Sequence, residues 1–220
     1  MPWKDGPVNG LRFPDRTVTE LMDRSAPNQT GKALDLGCAV GASSFVLANF
    51  FDRVTGLDFS ESFIEAANEI KRQGFLEYKY LEEGDMFGQG TVRCPEHSDK
   101  VSFVVGDACD LPNEWRGFDL VHAANLICRL PDPHVLFSRL PDLVKVGGQL
   151  LLATPFTWLE EFTPKDKWVG NGNSAQALGE ALSPHFKLEK SVDLPFVIRE
   201  HRRKFQFSVS LGTRWRRVKE

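Results

Sequence analysis

The stretch from Ala33 to Phe45, reading ALDLGCAVGASSF, constrains this chain more than any other. Ala33, Leu34, Asp35 and Leu36 have buried-strand character and run into the turn Gly37-Cys38-Ala39-Val40-Gly41; an apolar helix follows through Phe45, Leu47 and Ala48. Glycines belong in such a turn because a ligand must approach the backbone closely and a Cβ would oppose the dihedrals, while the free N–H groups of the helix start face the ligand. A strand, a glycine turn and a helix start make a cradle for a small molecule.

The surroundings of the cradle narrow the ligand. A dinucleotide fingerprint requires G-x-G-x-x-G. Here the series is Gly37, Ala39, Gly41, with no glycine at position 42. Asp35 stands two places before the first glycine and is expected to point towards a ligand carrying an ammonium group. Asp58 ends the next strand, VTGLD, 23 residues after Asp35. A carboxylate at that tip can accept both hydroxyls of a ribose, which suits an adenosine ligand. D-x-G-x-x-x-G followed by V-x-G-x-D-x-S resembles the class I S-adenosylmethionine-dependent methyltransferases. The resemblance implies an α/β fold, a Rossmann-like seven-stranded sheet with helices on both faces. It also implies S-adenosylmethionine as cofactor, held by Asp35, Gly37, Cys38, Ala39, Gly41, Asp58 and Phe59. After the strand Val101-Ser102-Phe103-Val104-Val105 comes Gly106-Asp107-Ala108, and the same resemblance places Asp107 on the adenine amino group and the Ala108 N–H on a ring nitrogen.

At 220 residues the chain fits one domain of ordinary size. Residues 1–31 read as an arm with one short helix, Thr17 to Asp23, and residues 32–220 as the cofactor-binding domain. Cys38, Cys94, Cys109 and Cys128 show no C-x-x-C spacing and the five histidines are scattered, so no metal site and no disulfide framework is indicated. Met1-Pro2-Trp3-Lys4 begins no signal peptide and no apolar run reaches the ~20 residues of a membrane span, which predicts a cytoplasmic protein without membrane contact. The net charge of −3 argues against a nucleic-acid platform, yet Arg199 to Glu220 carries eight Lys/Arg against two acids. Such a run is a solvated face, a recognition site for a small carboxylate, or a contact for an anionic partner.

Further along, Ser60 is a suitable N-cap for a helix with Phe63, Ala67 and Ile70 on its inner face, ended by Gly74. LEYKYL, the turn residues of GDMFGQG and then TVRC predict an inserted β-hairpin near 75–100. Phe118 to Asn125 forms the next core strand, in which Asp119 reads as structural. Asn125, at a carboxyl strand end beside the switch point, is where a ligand would sit. A helix near Pro133, a turn at Val146-Gly147-Gly148 and a strand from Gln149 to Thr154 follow. The loop Phe156 to Gly170, FTWLEEFTPKDKWVG, holds more aromatics and acids than a solvent loop needs, and should cover something. After a helix from Ser174 to Ser183, strands are expected over Phe186 to Val192 and Phe205 to Leu211, with Phe205, Phe207, Val209 and Leu211 turned to the core.

The words TWLEEFTP, LPFVIRE and RRKFQ, with LDLGCAVG, DFS, GDAC and AANLI, closely resemble the methyltransferase that forms the C-terminal domain of ovothiol-biosynthesis enzymes. The resemblance runs from about Phe13 to Arg217 and implies N-methylation of the imidazole of 5-thiohistidine, giving ovothiol A. Members of that family sit behind a sulfoxide synthase domain, a partner for this chain by the same resemblance. They also carry extra helical sequence before the dipeptide that here is Phe13-Pro14. With 12 residues before it, this chain is expected to be a standalone version or an excised domain.

In-line methyl transfer needs the acceptor nitrogen held roughly 3 Å from the methyl carbon, so positioning supplies most of the rate. A neutral imidazole already has a lone pair; an acceptor on its other N–H would select the reactive tautomer, and Asn125, Glu160 and Glu161 are the candidates. For the amino-acid carboxylate, Arg199, Arg203 and Lys204 compete, with Arg129 as an outsider. Phe156, Trp158 and Trp168 could wall the ring. Two readings from other classes stay open: an NAD-dependent oxidoreductase, which would share Asp58, and a non-catalytic adenosine- or RNA-binding module using the basic tail. Within methyltransferases the alternative acceptor is another small amine or carboxylate metabolite.

Overall fold

The computed structural model describes residues 7–25, 31–170 and 172–218. The ends of the expected arm, including Met1 to Lys4 and Pro27, lie outside the described residues, as do Lys219 and Glu220.

Nine strands and five helices make up the described chain: α1 Phe13–Thr19, β1 Lys32–Leu36, α2 Ala42–Leu47, β2 Arg53–Asp58, α3 Glu61–Gln73, β3 Phe75–Glu83, β4 Met86–Arg93, β5 Val101–Val105, β6 Phe118–Ala124, α4 Pro133–Leu143, β7 Val144–Thr154, α5 Ser174–Leu182, β8 Phe186–His201 and β9 Lys204–Arg217. Seven strands form one sheet in the order β5-β2-β1-β6-β7-β9-β8. Neighbours are parallel from β5 to β7, and β9 runs antiparallel to both β7 and β8. The Rossmann-like seven-stranded expectation holds. The chain reverses its direction of growth between β1 and β6, which opens a crevice at their carboxyl ends.

Alternation along the strands splits the core. Leu34, Leu36, Val121, Leu150 and Leu152 pack with α4 and α5 through Leu136, Leu140, Leu178 and Leu182. Ala33, Leu120, Leu151 and Ala153 face α1, α2 and α3 through Val18, Leu21, Phe45, Leu47 and Ile70. Strands buried on both faces read as nearly continuous apolar runs, as VHAA and QLLLAT do.

Several local expectations are corrected. The first helix begins at Phe13, not Thr17, because Pro14 sits in its opening turn, where a fixed φ favours the helix and a missing N–H costs nothing. In α3, Ser60 caps the helix by accepting from the Phe63 N–H, but Ile64 joins Ala67 and Ile70 inside while Phe63 is 47% exposed. Gly147 and Gly148 lie within β7 at a register shift and do not precede it as a turn. β8 continues through Pro195 to His201 because it is the edge strand, where a missing donor is tolerated. β9 starts at Lys204, and Phe207 and Val209 are exposed at 51% and 42%. The reason is reach: Thr154, the last residue of β7, pairs with Leu211, so the hairpin before that point extends past the sheet.

The predicted inserted hairpin is present as β3 and β4, paired antiparallel. Its turn is confined to Gly84-Asp85, the first two residues of GDMFGQG, and the rest of that stretch belongs to β4. Gly88 and Gly90 lie opposite Tyr80 and Tyr78, and a Cβ at either glycine would collide with the tyrosine ring laid across it. The tip meets the β8–β9 hairpin: Arg199 pairs with Glu82 at 2.8 Å and lies 4.4 Å over the Tyr80 ring, and Arg202 pairs with Glu83 at 2.5 Å. Exposed pairs of this kind contribute about 0–1 kcal/mol each. Glu82→Ala is therefore expected to lower global stability by no more than about 1 kcal/mol in urea unfolding while speeding amide exchange across residues 78–90. A loss of several kcal/mol would show that the two hairpins support the core.

Candidate functional site

Four strand ends frame one cavity of about 710 Å³. β1 contributes Gly37, β2 Leu57 and Asp58, β5 leads to Gly106, Asp107 and Ala108, and β6 to Ala124 and Asn125. Phe59, Ser60 and Phe63 also line it, as do Leu126, Arg129, Leu130 and Pro131 after β6 and the pair Glu161-Phe162 after β7.

The glycine turn is built to hold Asp58. Gly37 N–H and Cys38 N–H both donate to Leu57 O, at 2.8 and 3.0 Å, which folds the turn back on the tip of β2. Ala39, with a left-handed φ of 47°, then aims its N–H at Asp58 Oδ2 at 2.8 Å, and the Ser60 N–H takes Oδ1 at 2.9 Å. Each oxygen keeps a lone pair for a vicinal diol. Gly41 has φ 89°, and a Cβ there would run into the Phe103 ring. Asp107 closes its own turn by accepting from Cys109 N–H at 2.8 Å through Oδ1. Burial, reinforced by the Asp35 and Asp58 carboxylates, pushes the Cys38 thiol well above its usual range.

Asp35, expected to point at the ligand, does not line the cavity. It is buried on the α1–α2 side of the sheet, where Ser44 donates to Oδ2 at 2.6 Å and His122 Nδ1 meets Oδ1 at 2.7 Å. His122 is the register partner of Asp35 across β1 and β6. Its Nε2 lies 3.0 Å from Thr17 Oγ1, whose one proton goes to Pro14 O at 2.8 Å. A chain of contacts thus runs from Asp35 on β1 through His122 on β6 to Thr17 on α1.

Of the residues expected to bind the acceptor, Asn125, Arg129 and Glu161 line the cavity. Arg129 donates to Thr157 O at 2.8 Å and to Cys128 O at 3.0 Å, with its guanidinium 4.8 Å over the Phe162 ring. Glu160 pairs with Lys165 at 3.2 Å on the loop surface. Phe156 and Trp158 pack against the core, with Trp158 Nε1 on Ser174 Oγ at 3.0 Å, and Trp168 Nε1 donates to Thr163 O at 2.8 Å. The loop is anchored further by Thr163 Oγ1 on Leu130 O at 2.7 Å and by Lys167 on Asp132 at 2.9 Å; that hydrogen bond holds the Asp132 carboxyl below its ordinary range. Arg199 and Lys204 are spent on Glu82 and Glu200, and Arg203 sits in the β8–β9 turn, so the structure does not bring these three to the cavity. Near the end of the basic tail, Arg216 pairs with Asp23 and Glu189 and Arg214 with Glu189.

The sequence reading missed Phe63, Phe162 and Ser210. Phe63 was assigned to the inner face of α3 with Ala67 and Ile70, and Phe162 was one aromatic among several. Ser210 carried no signal: it is a buried strand serine whose Oγ donates to Asn125 Oδ1 at 2.7 Å.

A family profile described as a methyltransferase domain matches residues 34–152, more than half of the chain. The chain belongs to the methyltransferase family. It is 38% identical to methyltransferase str2 of Strobilurus tenacellus over 80 residues, 34% of this chain and 29% of that protein. With phosphoethanolamine N-methyltransferase 1 of Triticum aestivum it shares 26% over 159 residues, 70% of this chain and 27% of that protein. The chain thus spans less than a third of these curated relatives. The N-methyltransferase NodS from Bradyrhizobium japonicum WM9, solved in complex with S-adenosyl-L-homocysteine, superposes with a TM-score of 0.55 at 14% identity, over 86% of this chain and 79% of that one, and shares its fold. Membership sets aside the oxidoreductase reading. The methyltransferase domain is S-adenosylmethionine-dependent. The residues present fit that cofactor, since Asp58 offers paired acceptors to a diol and Asp107 keeps its second oxygen for an amino group.

Two outcomes test the site. Asp58→Ala is expected to weaken S-adenosylhomocysteine binding by about 2 to 4 kcal/mol, roughly 30- to 1000-fold, in calorimetry. Asp35→Ala leaves the buried His122 imidazole and Ser44 hydroxyl without their acceptor and is expected to cost about 1 to 3 kcal/mol in urea unfolding; a smaller loss would show that the contact does little to hold β1 against β6.

Proposed function

We propose that this chain transfers the methyl group of S-adenosylmethionine to an imidazole ring nitrogen of 5-thiohistidine, giving ovothiol A. The observation that carries the reading is that Arg129 and Glu161, a cation and an anion suited to a zwitterion, share one cavity with Asp58, Asp107 and Asn125. It is supported by the loop words TWLEEFTP, LPFVIRE and RRKFQ.

When bound, S-adenosylmethionine supplies an electrophilic methyl carbon on a sulfonium. Asp58 holds the ribose and Asp107 the adenine, which fixes that carbon relative to the sheet. The acceptor's own ring lone pair would form the new N–C bond while the methyl's bond to sulfur breaks and its electron pair stays on sulfur, leaving S-adenosylhomocysteine, so no strong base is needed. As the ring gains positive charge, Glu161 takes the proton from the other ring nitrogen, which returns the ring to neutrality. Arg129 takes the amino-acid carboxylate, and the anchored loop excludes water. Members of the wider family methylate nitrogen or oxygen on varied small molecules, phosphoethanolamine among them by name, so another small amine is the second reading.

Incubation with S-adenosylmethionine and a panel of histidine derivatives, read by fragmentation mass spectrometry, tests the proposal. Methylation of 5-thiohistidine on a ring nitrogen is expected, with histidine poorer by about 100-fold in kcat/KM if a buried polar group loses its sulfur partner. Methylation on sulfur, or equal rates on histidine, would overturn the acceptor while leaving the transferase reading intact. Arg129→Met is expected to raise KM for the acceptor about tenfold with kcat little changed, the mark of lost uniform binding.

A further inference from the structure

Asn125 is held unusually firmly for a residue at a cavity. Its backbone adopts a left-handed φ of 54°, and its N–H donates to Ala153 O at 2.7 Å. The main chain is therefore fixed, and only the carboxamide is left to orient. Ser210 is fully buried on β9, one residue past the last pairing with β7, and its Oγ donates to Asn125 Oδ1 at 2.7 Å. A carboxamide is planar, with its oxygen and its NH₂ about 120° apart on one carbon, so fixing one fixes the other. With the oxygen committed to Ser210, the NH₂ is the part of the carboxamide left to meet a ligand in the cavity that Asn125 lines.

We propose that Ser210 is a positioning residue: it sets the Asn125 carboxamide so that this residue presents a hydrogen-bond donor, not an acceptor, to an oxygen of the ligands bound in the cavity. This rests on the methyltransferase reading and deepens it. Asn125 is then removed from the candidates for fixing the acceptor's N–H, and that role falls to Glu161. The oxygen it meets belongs either to the cofactor's carboxylate or to the acceptor's.

The experiment compares Ser210→Ala, Ser210→Thr and Asn125→Asp, using calorimetry with S-adenosylhomocysteine and steady-state kinetics with 5-thiohistidine. Ser210→Ala is expected to raise either the Kd or the acceptor KM about tenfold, the first assigning the oxygen to the cofactor and the second to the acceptor. Ser210→Thr restores the hydroxyl and is expected to restore binding. Asn125→Asp keeps the bond to Ser210 but places an oxygen where the NH₂ stood, and is expected to lose at least as much as Ser210→Ala. A Ser210→Ala protein with lowered Tm but unchanged Kd and KM would show a merely structural hydroxyl. Asn125→Asp binding both ligands like the parent would show an acceptor facing the cavity. Either result overturns the proposal. If the parent enzyme leaves 5-thiohistidine unmodified, the acceptor assignment has failed, and the S-adenosylhomocysteine affinity alone decides the role of Ser210.

Discussion

The buried contact between Asp35 and His122 joins more of this molecule than any other polar interaction described. It lies across the two central strands, β1 and β6, where the sheet reverses direction. Ser44 ties it to α2 and Thr17 to α1. One carboxylate–imidazole contact thereby ties together four elements, two of which, β1 and β6, lead into the cavity. Its value is geometric: buried polar groups left without partners are costly, so the contact favours one register between β1 and β6 and one seat for α1. Gly37 follows Asp35 by two residues and Asn125 follows His122 by three, so an error in the pair would reach the cavity walls directly.

Much of this was legible in the sequence because it rests on local rules. The Gly37-to-Gly41 turn, the carboxylate at the tip of β2, the Ser60 cap with Gly74 at the other end and the tyrosine–glycine hairpin each follow from a few adjacent residues. What could not be read there is set by distance along the chain. Asp35 looked like a ligand residue because its partner His122 is 87 positions away. The basic tail looked like a recognition surface because Glu82, Glu189 and Asp23, which neutralise Arg199, Arg214 and Arg216, come from other parts of the chain. The strand from Phe186 was expected to stop at Val192, since nothing local reveals that β8 is an edge that runs on through Pro195. Phe207 and Val209 alternate as core residues do, yet they belong to a hairpin that outruns the layer it would have packed on.

The same contrast separates cofactor from acceptor. The residues proposed for the cofactor sit at the ends of consecutive β-α units, where topology alone brings them together. The side proposed for the acceptor is assembled from the segment after β6 and the loop after β7, two pieces with no shared periodicity. Arg129 shows the difference: its place on the cavity depends on Phe162 and on the Thr157 carbonyl, and neither can be paired with it from spacing.

Cys38 stands next to Gly37 at the edge of a site that takes a sulfonium, a reagent as willing to alkylate a thiolate as an imidazole. Burial and the two neighbouring carboxylates hold that sulfur in its protonated form. The nucleophile nearest the cradle in the chain is thus kept as the less reactive thiol.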